Sequence, residues 1–451
     1  MSVNKIAIYL IIAIGMVWAY SQGGFFGCIG IAVVGFVGFD FLTQDKSWLP
    51  IGELALLLGG IQWIISPFFA YSVSDSIYRM SQPCNVYMTN TVIMYISFMF
   101  GFYYFRKSLT LTKSDLINYC KMSAGTSNIL ILIGVIFLFA PIHIRSLLFL
   151  KTLASYLFFI GFIIKMYMVP QKSTLYLLIS LGVLFFNSIR IGMFHDLLVW
   201  GIFMVMTWFY INQIPLKKRI IILCLSFLGI FLLQTVKSTY RQAIWYNNYS
   251  GNKIELFFSL LVDNAVNINK VQSKQESTTI ARYNQGWIIS RIYNNIPQNH
   301  EYFGGKTYID AVSSALIPRF LYPNKKGAGE QSRKDFIEMT GYNLSSGTSM
   351  GLSILGESYG NFGLFGGALF MFFWGCFIAN IVTFINKLSI RNFLWIIFLP
   401  IICFNLIKAE ISMMSVLNWT VKSVIFVLIV IYLLQVLVPQ LRYTIISKDK
   451  I

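Results

Sequence analysis

Charge is scarce in this chain. Only 12% of its 451 residues are Asp, Glu, Lys or Arg, about half the roughly 25% of ordinary soluble domains, which excludes a soluble α/β or all-β enzyme. Acidic residues are fewest of all, 17 against 35 basic ones. Six cysteines are too sparse at this length for a disulfide scaffold. Three histidines, His143, His195 and His300, without the spacing of HExxH, leave no basis for a metal site. The chain has no Asp-x-Asp pair and no CxxC. HEYFGGKT (300–307) imitates the end of a phosphate-binding loop, but His300 stands where GxxxxGK[ST] requires its first glycine. No cofactor or metal is therefore expected.

What is abundant is apolar. Hydrophobic residues make up 57% and aromatics 17%, and the mean hydropathy is +0.68. A bilayer-spanning helix needs about 20 apolar residues, and about twelve such windows are found, at 5–20, 25–42, 51–71, 86–105, 124–140, 147–168, 174–189, 192–211, 219–236, 362–386, 393–409 and 413–437. The expected fold is an all-α polytopic membrane protein, with transmembrane helices over 1–237 and 362–437, a large extracytoplasmic loop at 238–361 and a cytoplasmic tail at 438–451.

Lys and Arg in short loops stay on the cytoplasmic side. Arg106, Lys107, Lys113 and Lys121, then Lys217, Lys218 and Arg219, then Lys387 and Arg391, and finally Arg442, Lys448 and Lys450 fit one threading, with both termini cytoplasmic and 238–361 outside. A cleaved signal peptide ending near Ser21 is the rival reading of the N-terminus; a cationic start followed by eleven more spans favours a retained first helix. The net charge of +18 sits beside spans, where it sets topology and meets anionic lipid headgroups, so nucleic acid is not an expected partner.

The long loop carries about twelve basic against nine acidic residues and short apolar runs such as IELFFSLLVDNAV (254–266) and GWIISRIY (286–293). These suit helices lying on a membrane rather than crossing it, so a mostly helical cap is expected. Arg190, Arg241, Arg282, Arg291 and Arg319 are spread along the cap and its rim. The arginine fork matches phosphate and pyrophosphate and stays ionised; the plain alternative is solvated charge or pairing with Glu255, Glu276, Glu301 and Asp310. Arg190 ends an apolar run, where an unpaired cation is costly. His195 and Asp196 open the next helix, Asp196 also suiting a helix N-terminus. Lys408 and Glu410 are expected to pair with each other or with the cap.

The densest motif is GTSMGLSILGESYGNFGLFGG (347–367). Glu357 there is a candidate proton acceptor and Tyr359 a candidate sugar contact; the structural alternatives are glycine-mediated packing and charge balance.

With IPRFLYPNKK (317–326) and GESYGNFGLFGG (356–367) flanking the loop exit, the chain resembles the oligosaccharide repeat-unit polymerases of the O-antigen polymerase (Wzy) type. The likeness of layout covers the whole chain, that of sequence only about 317–367. The resemblance implies a GT-C-like integral membrane glycosyltransferase, independent of metal, in the bacterial inner membrane. It implies an undecaprenyl-pyrophosphate-linked oligosaccharide as substrate, membrane lipids around it, and a chain-length regulator and a flippase as partners. Arg190, Arg241, Arg282, Arg291, Arg319 and Tyr359 would then bind substrate, and Glu357, or His195 or His300, would be the base. The family's R-x10-G loop pattern is only approximated, with nine residues between Arg241 and Gly251. An O-antigen ligase and a lipid-linked oligosaccharide flippase or transporter are the alternatives; the absence of a visible repeat and the presence of a large cap speak against the transporter.

Overall fold

A computed structural model describes residues 3–43, 49–71, 78–107, 111–142, 144, 147–247, 249–266, 284–317, 328–344 and 350–442. Among them every regular element is helical and none is a strand. A bilayer offers the backbone no water, so spanning segments must satisfy their own amides, and long apolar runs become helices.

The chain opens with α1 (Val3–Thr43), which is not one rod. Gly24 has φ 64° and ψ −153°, a conformation open to glycine, and the ring of Tyr9 lies 5.3 Å from that of Phe39. In a straight helix those residues would stand about 45 Å apart. The two apolar windows at 5–20 and 25–42 therefore form an antiparallel hairpin. Next come α2 (Ile51–Gly60), a π-helical turn at Ile61–Ile65, and α3 (Ser66–Tyr71), followed by α4 (Cys84–Phe105), α5 (Lys113–Met122), α6 (Ala124–Phe139), α7 (Leu148–Met168), α8 (Ser173–Ile191), α9 (His195–Asn212) and α10 (Leu216–Arg241). Four helices of 10 to 14 residues make up the described cap: α11 (Lys253–Val266), α12 (Gly286–Asn295), α13 (Lys306–Leu316) and α14 (Ala328–Thr340). The chain returns through α15 (Ile354–Arg391), the single turns α16 (Leu394–Ile397) and α17 (Leu399–Ile402), and α18 (Met413–Leu437).

Among the described residues, seven helices are long and apolar enough to cross a membrane, or up to eight if the bent pair Lys113–Met122 and Gly125–Phe139 is one span. This is a multi-pass membrane protein, but the tally falls short of the expected twelve: α4 and α9, over the windows 86–105 and 192–211, are not among these helices, and two further differences have identifiable reasons. The hairpin of α1 merges two windows into one element. Residues 393–409 do not form a span: Pro400, which has no amide hydrogen to donate, and a non-helical run to Lys408 break it into two turns. The cap also begins later than residue 238, because α10 runs through Arg241 and continues as a π turn to Tyr246.

Small residues bring the longest helices together. A side chain at Gly101 of α4 would overlap the Phe372 carbonyl of α15, and one at Gly375 would overlap the Phe98 carbonyl; without Cβ atoms the two backbones pack directly, as membrane helices do at small residues. At one end of the bundle Arg106 donates to Asp40 Oδ2 at 2.9 Å and lies 3.1 Å from Glu53 Oε1, while Tyr103 donates its hydroxyl to Asp40 at 2.8 Å. Glu53 is only 4% exposed. Arg219 reaches the Leu42 carbonyl at 3.0 Å, so two of the basic loops gather at this end.

Arg106→Ala removes the cation shared by two carboxylates, one of them buried. It is expected to destabilise the bundle by about 3 kcal/mol, the lower range for a buried pair losing one partner, read as a lowered unfolding midpoint in detergent, with Arg106→Lys recovering part of the loss.

Candidate functional site

The principal concavity is a cavity of about 1670 Å³ enclosed by α1, α2, α8, α9, α10 and α11. Residues from His195 at the start of α9 to Gln213 just beyond its end line it, so it runs the length of this 18-residue helix, about 27 Å at 1.5 Å per residue. That is close to the roughly 30 Å hydrocarbon thickness of a bilayer. Its walls are mostly apolar, from Leu54, Leu58, Phe185, Leu198, Ile202 and Phe209 among others. Polar groups stand at its two ends: Lys113, Gln213 and Arg219 at one, and Gln62, His195, Lys408 and Glu410 at the other.

The second end is a built cluster. Glu410 Oε2 accepts from Gln62 Nε2 at 3.3 Å, and its Oε1 lies 3.9 Å from His195 Nε2. On the far side of the imidazole, Nδ1 is 3.4 Å from Asp196 Oδ1. Lys408 donates to Asn405 Oδ1 at 2.6 Å and sits 4.0 Å from the centroid of the Phe404 ring, whose edge also meets His195. Lys408 and Glu410 thus do not form the ion pair expected from their spacing; each turns to a different partner.

Irregular backbone makes the cluster possible. The π turn at Ile61–Ile65 widens the helix around Gln62, a device frequent at functional positions, and its carbonyl accepts from the Gln285 amide at the start of the cap at 3.2 Å. The broken run 403–412 is held by Trp63, which donates its indole N–H to the Ala409 carbonyl at 3.2 Å, and by Gly351, where any side chain would overlap the Glu410 carbonyl.

Glu357 lies on the opposite side of this run. It is 2% exposed, its Oε2 accepts the Met413 amide at 2.8 Å, and it does not line the cavity. Met413 is the first residue of α18, so the carboxylate satisfies an amide with no partner within that helix and opposes the positive end of its dipole. The chain places Glu357 there by folding back: Gly363 has φ 69° and ψ −166°, and a Cβ on Gly367 would meet the Ser358 carbonyl at 3.3 Å, although a straight helix would separate them by about 13 Å. Asn361 continues the joint, donating to the Glu357 carbonyl and to Thr307 Oγ1, both at 2.8 Å, and accepting the Gly305 amide at 3.0 Å. Glu357 is thus the buried post that ties cap, fold-back and last span.

The remaining candidates lie apart from the cavity. Tyr359 is 8% exposed and packs its ring 4.3 Å from Tyr293. Arg190 donates to the Leu138 carbonyl and to Asn187 Oδ1 at 2.9 and 2.8 Å and lies over Phe139. Arg241 donates to the Gly192 carbonyl at 2.7 Å and lies over Trp245. Arg241 thereby braces the α8–α9 turn, whereas Arg190 ties the end of α8 to the end of α6. Arg291 lies over Trp287 and Tyr342 in the cap. His300 stacks on Phe303 at the surface. Arg282, Arg319, His143 and most of IPRFLYPNKK fall outside the described residues. No group of three or more metal-ligating side chains occurs among the described residues.

Of the described candidates for substrate binding or catalysis, His195 lines the cavity, and Arg190, Arg241, Arg291, His300, Glu357 and Tyr359 do not. Gln62 was missed; it carries no charge and sits in an apolar run. Lys408 and Glu410 did leave a signal, two opposite charges in an otherwise apolar stretch, but not their partners. No protein-family model matches this chain, and no curated protein or solved structure matches it.

Glu357→Ala is expected to lower stability by about 1–2 kcal/mol, the usual loss of a helix N-terminal cap, with Glu357→Gln less affected because an amide oxygen still accepts the Met413 N–H; thermal unfolding in detergent checks this. Burial also pushes the Asp335 carboxyl of α14, outside the spans, up to about 6. A carboxyl raised on folding stabilises below its ordinary value near 4 and loses that contribution as pH rises through about 6, so Asp335→Asn should raise the melting temperature at pH 7 and flatten its rise between pH 7 and 4.

Proposed function

We propose that this protein is an integral membrane glycosyltransferase that joins lipid-linked oligosaccharide repeat units, with undecaprenyl pyrophosphate as the donor's carrier, into a surface polysaccharide such as O-antigen. The observation that carries the reading is the cavity: an apolar trough as long as a bilayer is thick, ending in His195, Lys408, Glu410 and Gln62 beneath the cap. An isoprenoid tail suits the trough, since it gains by leaving water for apolar walls and needs no hydrogen bonds there. A pyrophosphate and its sugars suit the polar end. The cap touches the elements that carry this end: Gln285, beside α12, donates its amide to the Gln62 carbonyl, and Ser332 of α14 lies 3.5 Å from Ser412. In this reading the cap holds an acceptor glycan against a donor bound below.

The chemistry needs little from the protein. The donor carries its own leaving group, so orientation of the anomeric carbon against an acceptor hydroxyl and stabilisation of the departing charge suffice. Arg190 and Arg241 support the corner beside the cavity in this reading. The GT-C-like fold, the inner-membrane location and the partnership with a chain-length regulator and a flippase belong to the same proposal.

A second reading draws on the reach of the trough to Lys113 and Arg219 at the far end: polar groups at both ends of a membrane-deep path also suit a lipid-linked oligosaccharide flippase. Deletion of the gene in its host separates these readings. Surface glycan cut to one repeat unit supports polymerisation, long chains stranded on the lipid carrier support a ligase, and single units trapped inside support a flippase. Gly201 lines the trough with only Leu181 near the position of a Cβ; Gly201→Phe is expected to fill it and shorten the glycan ladder while membrane abundance is kept.

A further inference from the structure

Resting on the polymerase reading, we propose that Glu410, held by Gln62 beside His195, takes the proton from the acceptor hydroxyl, and that Lys408 stabilises the departing pyrophosphate at the same mouth.

Position singles out Glu410. Among the described carboxylates it is the one that lines the cavity. Its side chain is 33% exposed, against 2% for Glu357, whose Oε2 is committed to the Met413 amide. Gln62 holds Oε2 at 3.3 Å and His195 stands 3.9 Å from Oε1, beyond hydrogen-bond reach, so the carboxylate is fixed through one oxygen and keeps acceptor capacity, each ionised oxygen having more than one lone pair. Gly351 fixes the backbone beneath it, since any side chain there would overlap the Glu410 carbonyl. Two residues away, Lys408 places its ammonium at the same mouth against the Phe404 ring. The two charges are not paired with each other, which leaves one sign for each half of the reaction.

In the step, the acceptor oxygen attacks the donor's anomeric carbon. A new C–O bond forms while the bond from that carbon to the pyrophosphate oxygen breaks, and its electron pair leaves with the pyrophosphate. The hydroxyl proton passes to Glu410, which returns it to water. Attack opposite the leaving group inverts the anomeric configuration.

The test uses the full-length protein. In the deletion host, Glu410→Gln is expected to cut chain elongation about 100-fold or more, the usual range for a lost general base, while purified Glu410→Gln binds undecaprenyl pyrophosphate, followed by tryptophan fluorescence, as the wild type does. Lys408→Met is expected to weaken that binding about tenfold. If Glu410→Gln does not accumulate, Glu410→Ala in isolated membranes serves instead, with added formate expected to restore part of the elongation; a merely structural carboxylate would give no such rescue. Wild-type ladders from Glu410→Gln, or loss of elongation in Glu410→Ala that formate leaves unchanged, overturn the inference. The two failures are distinct: full ladders in the deletion strain itself sink the polymerase reading, whereas collapsed ladders restored fully by Glu410→Gln sink only the assignment of Glu410.

Discussion

The hydrogen bond from the Met413 amide to Glu357 is the joint on which the rest depends. It fixes where the last span begins, and through Asn361, Thr307 and Gly305 it ties that point to the cap. The irregular run 403–412 can then hold its shape without being a helix. In a bilayer, non-helical backbone is tolerated only where it is buried in protein or lines a polar cavity. Here it does both, with Trp63 and Gly351 covering one side and the cavity mouth on the other.

That exception to helicity is what creates the polar site. A continuous helix over 393–409 would distribute Asn405, Lys408 and Glu410 around its circumference. Broken at Pro400 and unwound beyond Cys403, the segment presents Lys408 and Glu410 to the same cavity while their side chains reach different partners. The π turn at Gln62 is the matching irregularity on the facing wall. Both lie where regular hydrogen bonding gives way, and the groups freed by it receive contacts from the cap.

The other end of the bundle is organised on a different principle. Arg106 is shared between Asp40 and Glu53, and Arg219 reaches the end of α1. These contacts, with the direct approach of α4 and α15 at Gly101 and Gly375, hold this end together, and α10 is tied into it through Arg219. The trough lies between α10 and the helices that face it.

The sequence by itself determined that this is a helical, multi-pass membrane protein, because a bilayer converts apolar length directly into spanning helix. It also singled out Arg190 as a charge ending an apolar run, Glu357 and His195 as candidate bases, and Lys408 and Glu410 as two opposite charges close in sequence. The break between its windows 5–20 and 25–42 falls at Gly24, but it did not show that Glu357 is occupied by a helix end or that Arg241 braces the α8–α9 turn. Those follow from which backbone groups lack partners once the helices pack. Only the tertiary structure decided that Gln62 and Glu410, 348 positions apart, meet at one mouth, because hydrogen bonds across such a distance leave no trace in local periodicity.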